Sequence, residues 1–163
     1  MAEYDTIQKD TLEYTRNLLR NDGTLTEIIF GFSGTIAAIN HIFIGRPSGD
    51  KVNSNNEPNF PLPRIIIDPI NMVRGKIGNN QDGENESAFD LQISYWTDER
   101  PWDLSIRTSD RIQKILENDN MPVTRGWARF EILSSNNIID PDRRQTRLGT
   151  IRARTIIEGG AYN

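Results

Sequence analysis

Residues 89–118 read FDLQISYWTDERPWDLSIRTSDRIQKILEN, and the fold turns on where that stretch changes period. Phe89, Leu91, Ile93 and Tyr95 fall on one side, with Asp90, Gln92 and Ser94 on the other. That two-residue repeat marks a strand with one buried face. Thr97, Asp98, Arg100 and Pro101 interrupt it and turn the chain. From about Trp102 the spacing becomes helical. Leu104, Ile112, Ile115 and Leu116 fall near one stripe, and Arg107, Asp110, Arg111, Lys114 and Glu117 lie largely outside it. The pair predicts a helix lying on a sheet, and every other apolar segment must fit against it.

Working back toward the start, Asp5 or Thr6 can cap a first helix that runs to about Arg20. Ile7, Thr11, Tyr14, Leu18 and Leu19 form its stripe, and Asn21-Asp22-Gly23 is a stop signal. Its polar face mixes acids and bases, unlike a membrane anchor. Residues 24–40 hold a short helix or strand around residues 25–30, followed by glycines. Residues 41–45, HIFIG, read as a short strand. Residues 46–63 are a long polar excursion rich in Asn, Ser, Gly and Pro, a kind of connection that is usually functional or mobile. Gly49-Asp50-Lys51 lacks the full phosphate-loop pattern. Ile65, Ile66 and Ile67 predict a strand covered on both faces. Residues 78–87 contain no apolar side chain and read as a strand-connecting tip.

Beyond the central helix, residues 127–133 alternate with Ala128, Phe130 and Ile132 inward and Arg129 and Glu131 outward. Residues 134–146 read as a long tip carrying Arg143 and Arg144. Residues 147–158 return with Ile151, Ala153, Thr155 and Ile157 inward and Arg152, Arg154 and Ile156 outward. The two runs form a hairpin in which Glu131 can face Arg152 or Arg154. The expected fold is α+β: a mostly antiparallel sheet of four to five strands, two main helices on one face, and long polar loops. Its other face must stay wet or meet another subunit.

Composition narrows the chemistry. The chain has 163 residues and a net charge of −4, so nothing draws it as a whole toward nucleic acid or an anionic membrane. With no cysteine and one histidine, His41, it has no thiolate chemistry and no multi-histidine metal site. His41 is expected to be structural. A carboxylate-only cation site remains open, with the acids of residues 82–86 as a calcium-loop reading. The opening residues, MAEYDTIQKDTLEY, are not a signal peptide. No run approaches the ~18 apolar residues of a membrane span. A soluble protein is expected.

The order of these pieces resembles the tail-terminator (tail-completion) proteins of tailed bacteriophages and related viruses. The likeness runs over most of the chain. It rests on the N-terminal helix, on FPLPRIII at residues 60–67, on FDLQISYWTD at residues 89–98, on SDRIQKILEN at residues 109–118, and on the closing hairpin with its Asp-Pro-Asp-Arg-Arg tip. The resemblance implies one domain over residues 1–163, no enzymatic activity and no cofactor. It further implies a ring of six copies seated on the last ring of the tail tube, which stops tube polymerisation and joins the tail to the head. The implied partners are further copies of the chain, the tail tube protein, the head-side connector or stopper protein and, in a contractile tail, a sheath protein. DNA would pass through the lumen without sequence-specific contact, and no membrane is involved. The implied location is the virion, with the host cytoplasm during assembly.

A closed ring needs two different patches per subunit. The candidates are the apolar segment from Ile28 to Ile39, including Phe30, and the outward hairpin face with Arg129, Glu131, Arg152 and Arg154, joined by Arg143 and Arg144 of the nearby tip. The competing readings are another neck component, a small carboxylate-dependent hydrolase, and a nucleic-acid-binding module built on the arginine cluster.

Overall fold

The computed structural model describes residues 2–30, 41–45, 51–52, 58–59, 62–73, 87–99, 101–118, 120–123, 126–140 and 145–158. Among them are three helices: α1 (Ala2–Asn21), α2 (Gly23–Phe30) and α3 (Leu104–Glu117). The strands are β1 (Ile42–Ile44), β2 (Lys51–Val52), β3 (Pro58–Asn59), β4 (Arg64–Val73), β5 (Ser87–Asp98), β6 (Asn120–Val123), β7 (Gly126–Ile139) and β8 (Thr146–Glu158). Six of them form one sheet in the order β1-β4-β5-β8-β7-β6, while β2 and β3 form a separate two-stranded ribbon. Only β1 and β4 run parallel; all other pairs are antiparallel. The fold is α+β, as the change of period in residues 89–118 predicts.

The core forms between one face of the sheet and the three helices. Ile65 and Ile67 of β4, Leu91, Ile93 and Tyr95 of β5, and Ile151 and Ala153 of β8 meet Leu12, Leu19, Leu25, Ile112 and Leu116 of the helices. Burying a branched aliphatic side chain of this size contributes about 1.5–3 kcal/mol, so this layer dominates stability. All three isoleucines of residues 65–67 are buried, as a strand covered on both faces requires. Parallel neighbours cannot be joined by a tight turn. The β1–β4 connection therefore makes a long crossover that includes the β2–β3 ribbon.

Several boundaries differ from the sequence reading. Helix α1 starts at Ala2, ahead of the expected caps at Asp5 or Thr6. Nothing in residues 2–20 is Gly or Pro, so no breaker delays it. Gly23 is not a left-handed stop but the first residue of α2. Helix α3 starts at Leu104 and leaves Trp102 outside it and 78% exposed. Residues 134–139, expected in a tip, continue β7 to Ile139 with a register shift between Ile132 and Ser134. Pairing with β8 offsets the low strand preference of Asn and Ser there. Residues 120–123 form an edge strand, β6, where only a helix end was expected. The readings made for residues 78–86, for Gly49 and Asp50 of the phosphate-loop reading, for residues 31–40 and for Arg143 and Arg144 lie outside the described residues. So do the side chains of Ile7, Phe30, Phe89, Ala128 and Ile157.

Tyr95 fixes how the three central strands meet. It pairs with Gly149 on β8, and its ring fills the space above that glycine. A Cβ on Gly149 would stand 1.8 Å from the Tyr95 Cζ. The hydroxyl ends in a polar pocket under α3. Burial raises the Tyr95 pKa above 10.0; Ser109, Ser105 and Asn137 pull it back, although none stands in full hydrogen-bond geometry to the hydroxyl. Around it Asn137 Nδ2 donates to Ser105 Oγ, Ser109 and Ser135 share a bond of 3.1 Å, and Gln113 Nε2 donates to Ser109 at 3.0 Å. This network holds α3 over the far half of β7.

Gly149→Ala should therefore destabilise the fold by about 1–3 kcal/mol, the usual cost of overpacking. Chemical denaturation measures it. Adding Tyr95→Leu should recover part of the loss, whereas Tyr95→Phe should not, because the ring atoms remain.

Candidate assembly interface

The face of the sheet turned away from the helices carries a charged row built by register. Asp90 on β5 lies directly opposite Arg154 on β8, which lies directly opposite Glu131 on β7. Arg154 Nε donates to Asp90 Oδ1 at 2.9 Å and Nη2 to Oδ2 at 3.3 Å. The Asp90 hydrogen bonds and charge, with the Glu131 charge, raise the Arg154 pKa. The partner of Glu131 across the hairpin is thus Arg154, one of the two the alternation allowed. Arg152 lies one row away, opposite Gln92 and Ser134, and is exposed. Arg129 is exposed as well and lies opposite Ile156. Ile156 faces outward as expected, yet is buried. A third row, Trp96, Leu148 and Ile138, is apolar. The face is thus banded with both charge signs and apolar surface, the composition of a protein-contacting surface more than of a phosphate-binding one.

Of Ile28 and Phe30 in the other expected patch, only Ile28 has a described side chain. Ile28 is half-buried on α2. Asp22 joins the three helices. Its Oδ1 accepts from the Leu25 N–H at 2.7 Å, capping α2, and its carbonyl accepts from the Thr26 N–H at 3.1 Å. Its carboxylate also takes a two-pronged bond from Arg111 of α3, at 3.0 and 2.7 Å. Burial alone would raise the Asp22 pKa. The Arg111 bond, the Leu25 N–H and the Arg111 charge outweigh it and hold the carboxyl below 3.8. The stop at Asn21-Asp22-Gly23 holds, since α1 ends at Asn21, but the sequence reading does not include the lock through Asp22. The available signal was that Asp is a leading residue for capping the helix that follows. Beside the lock, Tyr14, Asn17, Leu18 and Ile115 line an open groove of about 310 Å³. Its one acid is Asp22, already committed to Arg111.

His41 sits at the start of β1, with Nδ1 2.7 Å from the Pro63 carbonyl, a contact between the ends of the β1–β4 crossover. Its place is structural, as expected. Among the described residues no three His, Asp or Glu side chains converge in a way that could hold a metal ion. No described helix is long and apolar enough to cross a membrane. The hairpin register brings Glu131 and Arg154 together, with Arg152 and Arg129 in other rows of the sheet, and Ile28 lies on α2.

No protein-family model matches the chain, and no curated protein matches it. Among solved structures it is similar to a chain of the virion of a native gene transfer agent (GTA) particle. The TM-score is 0.61 at 15% identity, over 89% of this chain and 92% of that one. At that identity the likeness is one of fold, and it extends over nearly the whole of both chains.

Asp22→Ala should cost about 0.5–2 kcal/mol from the lost cap alone, with the severed Arg111 contact adding to it. Because the folded pKa of Asp22 is lowered, its contribution is complete above its ordinary value and is lost as pH falls through the folded one. The stability gap between wild type and Asp22→Ala, read by urea unfolding from pH 7 downward, should stay constant to about pH 5 and close in stronger acid.

Proposed function

We propose that this chain is a structural subunit of a tailed-phage-like virion and serves as a tail terminator, with residues 1–163 acting as one unit. Six copies close into a ring on the end of the tail tube, stop its growth and present a seat for the head-side connector. The observation that carries this reading is the fold likeness to a GTA virion chain along nearly the full length of both. The tail-terminator-like order of motifs adds the finer identity. The role asks for no catalysis, and the titratable groups at the best-defined contacts are tied to structure: Asp22 to Arg111, Asp90 to Arg154, and His41 to Pro63.

The banded face suits the role. Ring subunits must recognise each other side by side and also meet a different protein above and below. Mixed charges fix register, and the apolar row supplies contact area. Arg152, Arg129 and Glu131 are the exposed charges in position to select a neighbour. Arg154, held by Asp90 and facing Glu131, is largely neutralised within its own subunit. That arrangement disfavours the nucleic-acid-binding reading, since the cluster contributes little net positive charge. DNA in a lumen would pass a wall of both signs.

Added to growing tail tubes, the protein should halt elongation and remain at one tube end in electron micrographs. Arg152→Ala with Glu131→Ala should leave the fold intact by circular dichroism and lower the yield of capped tubes severalfold. Capped tubes at wild-type yield would exclude the hairpin face from assembly. Tubes that keep growing with wild-type protein would overturn the terminator role. Duplex DNA should bind weakly; tight binding with a steep salt dependence would favour the nucleic-acid reading instead.

A further inference from the structure

The two edges of the six-stranded sheet are finished differently. On the β1/β4 edge, Arg20 Nε donates to the Ile42 carbonyl at 3.0 Å and so occupies the outer side of β1. Past β1 the same edge continues along β4 through Pro69, which has no N–H, and a register shift between Pro69 and Asn71. A blocked carbonyl, a proline and a bulge are ways in which natural sheets prevent strand addition. On the other edge, β6 pairs with β7 only from Gly126 to Arg129. Beyond Arg129 no described strand lies on the outer side of β7. The stretch after its bulge contains no Pro, Gly, Lys or Arg.

That open stretch reads Leu133-Ser134-Ser135-Asn136-Asn137-Ile138-Ile139, with apolar ends, a polar middle and no charge. Three of the six exposed large apolar side chains among the described residues lie on it, whereas Ile70 lies on β4. Leu133 is 44% exposed, Ile138 53% and Ile139 51%. Helix α3 adds Ile106, 50% exposed, on the same side as Gln113, which bonds Ser135. Trp102, 78% exposed, stands just before that helix. Leu133, Ile138 and Ile139 leave roughly 250 Å² of apolar surface on the edge strand itself, divided between its two faces and about a third of the ~800 Å² one partner gives to a standard interface.

We propose that this edge is a self-pairing surface: a second copy of the chain lays its own open stretch of β7 antiparallel against it, about a two-fold axis at Asn136. An antiparallel pair about such an axis keeps inward side chains inward on both copies. Leu133 then lies opposite the partner's Ile139, Ser135 opposite the partner's Asn137, and Asn136 opposite the partner's Asn136. Ser134 lies opposite the partner's Ile138. Each end thus has one apolar pair, Leu133 with Ile139, beside one mixed pair, and no like charges are opposed within the stretch. The α3 helices run along both sides of the axis and bring Ile106 of each copy over the junction. The proposal does not depend on the terminator reading. A two-fold contact cannot close a ring, so it describes how free subunits meet, and any ring contact uses another patch.

The chain has no cysteine, which makes a clean test available. Asn136→Cys places a thiol directly opposite its own copy, at the ~4.5–5.5 Å Cα spacing of antiparallel pairs that a disulfide can bridge. Under mild oxidation Asn136→Cys should form covalent dimers at least ~10-fold faster than Asn17→Cys, an exposed control on α1. Sedimentation of the wild type should show a concentration-dependent dimer that Asn136→Lys disperses, because its two lysines would face each other. Equal cross-linking rates for the two cysteine variants, or a wild type monomeric at every concentration, would overturn the proposal. So would a dimer indifferent to Asn136→Lys. Tube capping retained by Asn136→Lys would leave the terminator reading standing whether or not the pairing exists.

Discussion

The ring of Tyr95 lying across Gly149 is the contact on which the rest of the structure depends. It places a large aromatic at the centre of the sheet, where β5 and β8 pair, and no residue with a Cβ can stand beneath it. The hydroxyl then needs polar surroundings, and Ser105, Ser109 and Asn137 supply them from α3 and β7. Helix α3 is therefore held over β7 by serines and amides at one end, and over the central strands by Ile112 and Leu116 at the other. The strand that receives the polar end stays in the sheet as far as Ile139, and among the described residues no strand flanks it beyond Arg129.

A second constraint acts from the helices. Asp22 ends one helix, caps the next and grips a third through Arg111. The helical layer is thus tied together before it meets the sheet, and Arg20 ties it again to the carbonyl of Ile42. No described helix covers the sheet's far face. It carries Asp90, Arg154 and Glu131 in one row and Trp96, Leu148 and Ile138 in another. A sheet with one side committed to its own helices and the other banded with charge and apolar surface is suited to contact other proteins.

Much of the fold was legible in the sequence, and the reason is period. Leu91, Ile93 and Tyr95 alternate cleanly, and Ile112 and Leu116 repeat at helical spacing, so strand and helix each announced themselves. The run Ile65–Ile67 told of burial on both faces for the same reason. What period could not show was pairing that overrides propensity. Ser134, Ser135, Asn136 and Asn137 favour turns, and only the β8 partner makes them a strand. The stop at Asn21-Asp22-Gly23 was legible, since α1 ends at Asn21, but the second role of Asp22 was not, because Arg111 lies 89 positions later in the chain. Of the candidate site, alternation narrows the partner of Glu131 to Arg152 or Arg154, and the strand register selects Arg154. The Asp90 contact that neutralises Arg154 was not legible, because it joins strands far apart in sequence.

The account stands or falls on where the chain sits in an assembled particle. A cryo-electron reconstruction of tailed phage-like particles assembled with this protein addresses this directly. The account predicts six copies in a single ring between the tube and the head connector, with the hairpin face of each turned toward a neighbouring protein. Copies repeated along the length of the tail, or confined to the capsid shell, would contradict it.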